Sequence, residues 1–332
     1  MKQKKAFITG LTGQDGSYLA ELLLDKGYEV FGLVRHSATP NYWRIDHIIN
    51  EIELIEGDLT DYTSLYRAVN SIRPDEVYGL GAQSFVKGSF SQPILTAEVT
   101  GMGTLLLLEA IRSVDAANIK YYQASSSEQF GAVVDVPQSE ATPFNSRSPY
   151  ASAKLFSHYT TINYRDAYGI FACNGILFNH ESQRRGIEFV TRKITDGAAR
   201  IKCGLQDHLA LGNLDSKRDW SHAADMVRGM WMMLQHTEPG DYVLASGQTH
   251  SVREFCDLAF SKLGLNYKDY VVVDPKFFRP TEVDLLVGDP SKARKTLGWQ
   301  PEKSFQDLVE EMVEADLKRI EKITHVNKEC TK

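Results

Sequence analysis

Tyr150 and Lys154, in "SPYASAKLF", stand four residues apart and so share one face of a helix, a turn from each other. A phenol is a poor base at neutral pH, with an ordinary pKa of about 10, but a fixed ammonium beside it favours the phenolate. Such a tyrosine can exchange a proton with a substrate hydroxyl while hydride moves. Upstream, "QASSSEQFGAV" runs three serines, Ser125 to Ser127, into Glu128 at what reads as the exit of a buried strand. An acid there has two readings: it caps the following helix or turn, or it serves as a general acid/base beside a row of hydroxyls.

These groups need a scaffold that brings a hydride carrier to them, and the N-terminal half has the pattern of one. Candidate strands "KAFITG", "EVFGLV", "IELIEG", "DEVYGLGA", "IKYYQAS" and "FACNGILF" alternate with amphipathic segments such as "GSYLAELLLDKG" and "GTLLLLEAIRSV". That rhythm predicts βαβ units, a parallel sheet and helices on both faces. Gly10, Gly13 and Gly16 follow the first strand at three-residue intervals and open the first helix, with Thr12, Gln14 and Asp15 between them. Glycines so placed let the chain turn tightly and bring backbone N–H groups against a pyrophosphate at a helix N-terminus.

The residue closing the second strand discriminates between dinucleotides. An acid there bonds the ribose hydroxyls of NAD, whereas a cation meets the 2′-phosphate of NADP. The sequence reads "GLVRHS", with Arg35 in that place, so NADP is expected; the plain alternative is a solvated arginine at a strand end. Asp58 and Leu59, after the third strand, form a candidate cradle for the adenine. The stretch from Leu80 through Ala82 to Ser84, after the fourth, lies where ribose and substrate should meet at the carboxyl edge of the sheet.

The whole chain has 332 residues, 37 Lys and Arg against 43 Asp and Glu, and a formal charge of −6, so it has no broad basic field to hold nucleic acid. Four scattered cysteines show neither zinc-site pairing nor a disulfide framework, so no metal is expected and a reducing cytoplasm fits. The N-terminus passes directly into a strand, and the longest apolar stretches read as core-length, so no membrane partner is expected. After "NHESQRRG" the pattern turns irregular, as in a smaller C-terminal lobe, and "MVRGMWMMLQ" reads as core packing at helical spacing.

The strand-glycine-helix opening and the Tyr-x-x-x-Lys pair resemble the extended short-chain dehydrogenase/reductase family, over nearly the whole chain. Five segments, "GLTGQDGSYLAELLLDKGYEV", "RSPYASAKL", "NHESQRRGIEFVTRKI", "LGNLDSKRDW" and "RPTEVD", narrow the match to the GDP-mannose 4,6-dehydratase family. The resemblance implies an α/β fold, a Rossmann-type doubly wound parallel sheet with a smaller mixed α/β C-terminal lobe. It divides the chain into an NADP-binding domain over 1–180, to which later segments can return, and a nucleotide-sugar lobe over 181–325. It gives Ser126 the place of the catalytic hydroxyl, Glu128 that of the acid/base, Tyr150 that of the base for the sugar's O4, and Lys154 that of its electrostatic partner and a ribose ligand. His180 and Arg185 match cofactor-contacting positions. Asn179, Lys193, Arg218, Arg279 and Glu282 match substrate-contacting ones, with Glu282 facing the guanine, and Ser84, Ser126 and Glu128 also reach the sugar.

The family more often has threonine at Ser126 and proline at Gln183, and a proline there would stiffen the loop. A GDP-sugar substrate and a homodimer or homotetramer are implied, with the loop near 181–193 reaching a neighbouring subunit's cofactor. Arg184 and Arg192 join Lys193, Arg218 and Arg279 as dispersed cations suited to two phosphates. Three alternatives stay open: a dehydratase of another GDP sugar such as a GDP-manno-heptose, a 4-keto reductase of the same fold, which Glu128 argues against, and a non-catalytic sensor, which would be expected to lose Tyr150 or Lys154.

Overall fold

The computed structural model describes residues 3–278 and 285–329, with side chains described up to residue 324. Seven strands form one sheet: β1 Lys5–Thr9, β2 Glu29–Val34, β3 Ile52–Glu56, β4 Glu76–Gly79, β5 Lys120–Ser126, β6 Ala172–Leu177 and β7 Asp241–Leu244. Their order is β3-β2-β1-β4-β5-β6-β7 and every pairing is parallel, so all seven carboxyl ends open on one edge. The order reverses beside β1, and at such a switch point a crevice forms between the diverging connections.

The strands read as nearly continuous apolar runs because both faces are covered. In β1, Ala6 and Ile8 enter a core shared with helix α1 (Gln14–Asp25) and the helix Ala223–Gln235, whereas Phe7 enters the core on the opposite face with Leu107, Leu108 and Ile111. Met226, Met230 and Met233 are fully buried in the first of these cores. One helical run, Pro93–Asp115, is longer than the sequence suggested and apolar enough to cross a membrane by length and composition; half of its most apolar window is buried inside the protein.

After residue 181 the chain both builds a second unit and returns to the sheet. The return consists of the helix Ala223–Gln235, β7 and the buried Trp299. The second unit has its own core, in which Ile194, Leu209, Trp220, Phe255, Phe260, Met312 and Val313 are buried. It is built on α3 (Val190–Lys202) and the last helix, Phe305–Glu329, joined by very short strands. Of these, Asn179–Glu181 pairs with Trp220–His222, and Lys217–Arg218 pairs with both His250–Ser251 and Leu285–Leu286.

Candidate active site

A cleft of about 830 Å³ opens between the carboxyl edge of the sheet and the second unit. Its walls bring together Asp15, Leu80, Ala82, Ser84, Ser126, Glu128, Tyr150, Lys154, Asn179, His180, Arg185, Lys193 and Arg218, which the sequence scatters over two hundred positions. Gly10, Thr12, Gly13, Gln14 and Gly16 belong to the turn beside it. Arg35, Asp58 and Leu59 lie outside its walls, at the ends of β2 and β3. Arg279 and Glu282 lie outside the described residues.

The turn after β1 has the geometry a dinucleotide requires. Gly10 has φ +76°, and a Cβ there would stand 2.9 Å from the backbone nitrogen of Gly81, so this position admits only glycine without strain. A Cβ on Gly16 would meet the Gly10 carbonyl oxygen at 2.3 Å; its absence lets α1 press onto the turn. Gly13 is the N-cap of α1 and offers no side-chain cap, so its sequence leaves the first-turn N–H groups without one. These observations fit a bound pyrophosphate. Arg35 is exposed at the end of β2, and His36 next to it pairs with Glu56 at 3.3 Å.

Asp15 and His180 are bound to each other. The carboxylate of Asp15 lies 2.9 Å from His180 Nε2, while His180 Nδ1 donates to the Phe178 carbonyl at 2.7 Å. Burial works to raise the Asp15 carboxyl, but the His180 charge and hydrogen bond outweigh it and hold it at about 2. Burial likewise works to lower His180, and Asp15 overrides it and raises the imidazole. The pair fastens the glycine turn to the segment leaving β6, as does the Gln14 amide donating to the His180 carbonyl at 3.2 Å.

Helix α2 (Pro149–Tyr168) starts where Ser148 accepts from the Ala151 N–H at 3.1 Å, with Pro149 in the first turn. It therefore presents Tyr150 and Lys154 together on its buried face, as their spacing predicts. The expected electrostatic partnership is weaker than anticipated. Lys154 Nζ donates to the Ala124 carbonyl at 2.7 Å and lies 5.9 Å from the centre of the Tyr150 ring. Burial pushes the Tyr150 phenol up to about 12, with the Glu128 charge acting the same way and the Ser126 hydrogen bond opposing. Burial also brings the Lys154 ammonium down to about 8, against the Asp15 charge. In this state Tyr150 is a neutral phenol at pH 7 and Lys154 still carries its charge.

The segment around Glu128 is itself capped. Ser126 ends β5 and caps the one-turn helix Ser127–Gln129, its hydroxyl accepting from the Glu128 N–H at 3.3 Å. The reciprocal contact of that capping box comes from Gln129, whose Oε1 accepts from the Ser126 N–H at 3.3 Å and from the Ser125 hydroxyl at 2.7 Å. Gln129 thus fills that box, and Glu128 is buried in the cleft wall, close enough to Tyr150 to raise its pKa. Gln129 was missed in the sequence, although Ser-x-x-Gln is itself a capping-box signature.

Among the cations, the structure corrects two expectations. Arg184 stacks on Tyr18 at 4.2 Å and pairs with Glu21 at 2.6 Å, so it packs against α1, outside the walls of the cleft. Arg192 is buried and pairs with Asp316 at 2.7 Å. Lys193, by contrast, lines the cleft, donating to the Ala210 carbonyl at 2.6 Å and lying over the Phe277 ring at 3.4 Å. Arg218 is buried in the cleft wall, and its Nη1 donates to the Lys217 carbonyl at 2.8 Å. The side-chain oxygen of Asn179 is buried there with no hydrogen-bond partner among the described residues, an acceptor available to a ligand donor. Arg44, which no spacing in the sequence singles out, donates to the carbonyls of Thr12 at 3.3 Å and Arg184 at 2.7 Å, tying the glycine turn to the arginine loop.

Comparison with known proteins agrees with this architecture. The chain matches the family model described as GDP-mannose 4,6 dehydratase over residues 7–312. It is 56% identical to GDP-mannose 4,6 dehydratase 2 of Arabidopsis thaliana, covering 95% of this chain and 87% of that protein. It is 51% identical to the GDP-mannose 4,6-dehydratase of Vibrio cholerae, covering 96% and 95%. A UDP-glucose 4-epimerase of Thermus thermophilus solved in complex with NAD superposes with a TM-score of 0.81 at 27% identity, covering 94% of this chain and 98% of that one. With Asp15 of the glycine turn, the Tyr150–Lys154 helix and Glu128 meeting in one cleft, and a family match that spans both units, the chain belongs to the GDP-mannose 4,6-dehydratase family.

Proposed function

We propose that this protein converts GDP-mannose to GDP-4-keto-6-deoxymannose and water, using a tightly held NADP. The observation that carries the reading is Glu128, a buried carboxylate in the cleft wall beside Tyr150. A plain reductase or epimerase has no need of an acid/base at that point, whereas an elimination does.

The glycine turn, Arg35, Asp58, Leu59, Leu80, Ala82, Lys154, His180 and Arg185 would hold the dinucleotide. Bound there, the dinucleotide would supply a hydride acceptor for the sugar's C4 and a hydride donor for C6, with no net consumption of cofactor. Tyr150 removes the proton of the O4 hydroxyl, and the Ser126 hydroxyl, already bonded to the phenol, orients that oxygen. Burial holds the phenol's pKa high, so the step calls for positive charge nearby, which Lys154 on the same helix face would supply. Once C4 is a ketone the C5 proton is acidic; Glu128 removes it and, as the carboxylic acid, protonates the departing C6 hydroxyl. Asn179, Lys193, Arg218 and Ser84 would hold the GDP-sugar, and Arg279 and Glu282 complete the set by family resemblance. The reading includes a cytoplasmic homodimer or homotetramer, supported by free Cys173, Cys203 and Cys256 and by exposed Ile94, Met102, Phe156 and Tyr159.

The test is Glu128→Gln. Its dehydration rate should fall by about a thousandfold, within the range for loss of a general acid/base, while GDP-mannose binding measured by calorimetry stays within a few-fold. Full turnover in that variant would return Glu128 to a structural role.

A further inference from the structure

Arg192 and Asp316 lie away from the reacting atoms, yet they close a continuous chain of bonds that begins at the glycine turn. Gln14 Oε1 accepts from the Ser182 hydroxyl at 2.9 Å, and the Ser182 carbonyl accepts from the Arg185 N–H at 3.0 Å. The carbonyls of Gln183 and Arg185 both accept from Arg192 Nη1, the second at 3.1 Å. The opposite edge of the same guanidinium grips the Asp316 carboxylate, Nε to Oδ2 at 2.8 Å and Nη2 to Oδ1 at 2.7 Å. Asp316 is fully buried and takes two further partners, the Thr195 hydroxyl at 2.7 Å and Arg319 at 3.1 Å. One planar group thus joins the last helix to both carbonyls of the loop, which a lysine ammonium cannot do with one fork.

What the loop carries explains why this matters. Arg185 lines the cleft, lies 3.6 Å over the Phe189 ring and pairs with Glu181 at 3.1 Å. Its charge is felt by Asp15, His180 and Tyr150. Its own backbone is held at both ends, N–H by Ser182 and carbonyl by Arg192. The loop is the segment where Gln183 stands in place of the family's stiffening proline. The Gln183 side-chain oxygen is buried without a partner, so it adds no anchor of its own among the described residues.

We infer that Arg192 and Asp316 are positioning residues that hold the Ser182–Phe189 loop, and with it Arg185, in the cofactor-binding geometry, so that the last helix sets cofactor affinity. The inference rests on the reading that this loop contacts NADP.

The experiment compares the full-length wild type with Arg192→Lys and with Thr195→Val, a near-isosteric change that removes one partner of Asp316 and leaves the guanidinium in place. NADP affinity, GDP affinity and amide hydrogen exchange of residues 183–189 are measured on each. Arg192→Lys should weaken NADP by about tenfold, as for one lost charge-assisted hydrogen bond. It should also accelerate exchange in the loop and leave GDP affinity within about twofold. Thr195→Val should move the same two quantities in the same direction by a smaller factor, and it decides the matter if Arg192→Lys does not fold. Unchanged NADP affinity in a folded variant, or equal losses of NADP and GDP affinity, would overturn the inference. A wild type that binds no NADP would instead overturn the cofactor reading on which it rests.

Discussion

At the scale of the residue, the same side-chain type does different work according to what surrounds it. Arg35, Arg184, Arg185 and Arg192 all look alike in sequence, yet one is exposed at a strand end, one stacks on an aromatic ring, one faces the cleft and one is buried against a carboxylate. Of the four, Arg35 alone follows β2, and on the proposed reading a cation at that strand end suits a 2′-phosphate. Arg35→Glu should therefore weaken NADP and strengthen NAD, shifting the ratio of their dissociation constants by at least about a hundredfold, since a charge-assisted phosphate contact becomes a repulsion. Titration of both dinucleotides against the variant checks this, and an unchanged ratio would make Arg35 a solvated arginine. The Tyr150–Lys154 pair carries a similar lesson. Spacing alone put both on one face of α2, but the burial that lifts the phenol to about 12 is a tertiary effect that no spacing reveals.

At the scale of the element, the site depends on connections between pieces that are each ordinary. The Asp15–His180 pair joins α1 to the segment leaving β6, and its contribution to stability follows its titration. Asp15 is held below its ordinary value of 3.8, so its share is present above that pH and is lost as pH falls through about 2. His180 is raised above 6.5, so its share is complete below 6.5 and is lost as pH rises through the raised value. Both shares are present between those limits. The melting temperature of wild type should exceed that of Asp15→Asn most near about pH 5.5 and by less at about pH 8; a gap independent of pH would show that the pair's ionisation contributes nothing. The six N-terminal strands were legible because each is a bounded apolar run between helical segments. β7 was not, since Asp241–Leu244 comes after the regular strand–helix alternation has ended and is recognisable only beside β6. The two-residue strands of the second unit carry no local period either.

At the scale of the whole molecule, the parallel sheet gathers seven strand ends on one edge, and the second unit closes over them to leave one cleft. The part of its wall at the strand exits and on the Tyr-x-x-x-Lys helix was legible, because those places announce themselves locally, whereas the apolar part that includes Phe189, Leu209, Leu211 and Trp220 was not. What escaped were long-range partners: Asp316 for Arg192, 124 residues apart, and Arg44 for the glycine turn. A sequence displays a charge without displaying what neutralises it, so Arg192 read as a phosphate ligand until its partner was placed. The arrangement as a whole is that of a machine that oxidises and reduces within one active site and releases only water and the altered sugar nucleotide.

The most direct measurement is therefore made on the wild type with GDP-mannose and NADP, following product mass and absorbance of reduced cofactor together. Complete conversion to a product lighter by one water, with no reduced cofactor accumulating beyond the enzyme concentration, is the predicted result. A steady rise in reduced cofactor that tracks product, with no loss of water, would contradict the account and leave a plain dehydrogenase in its place.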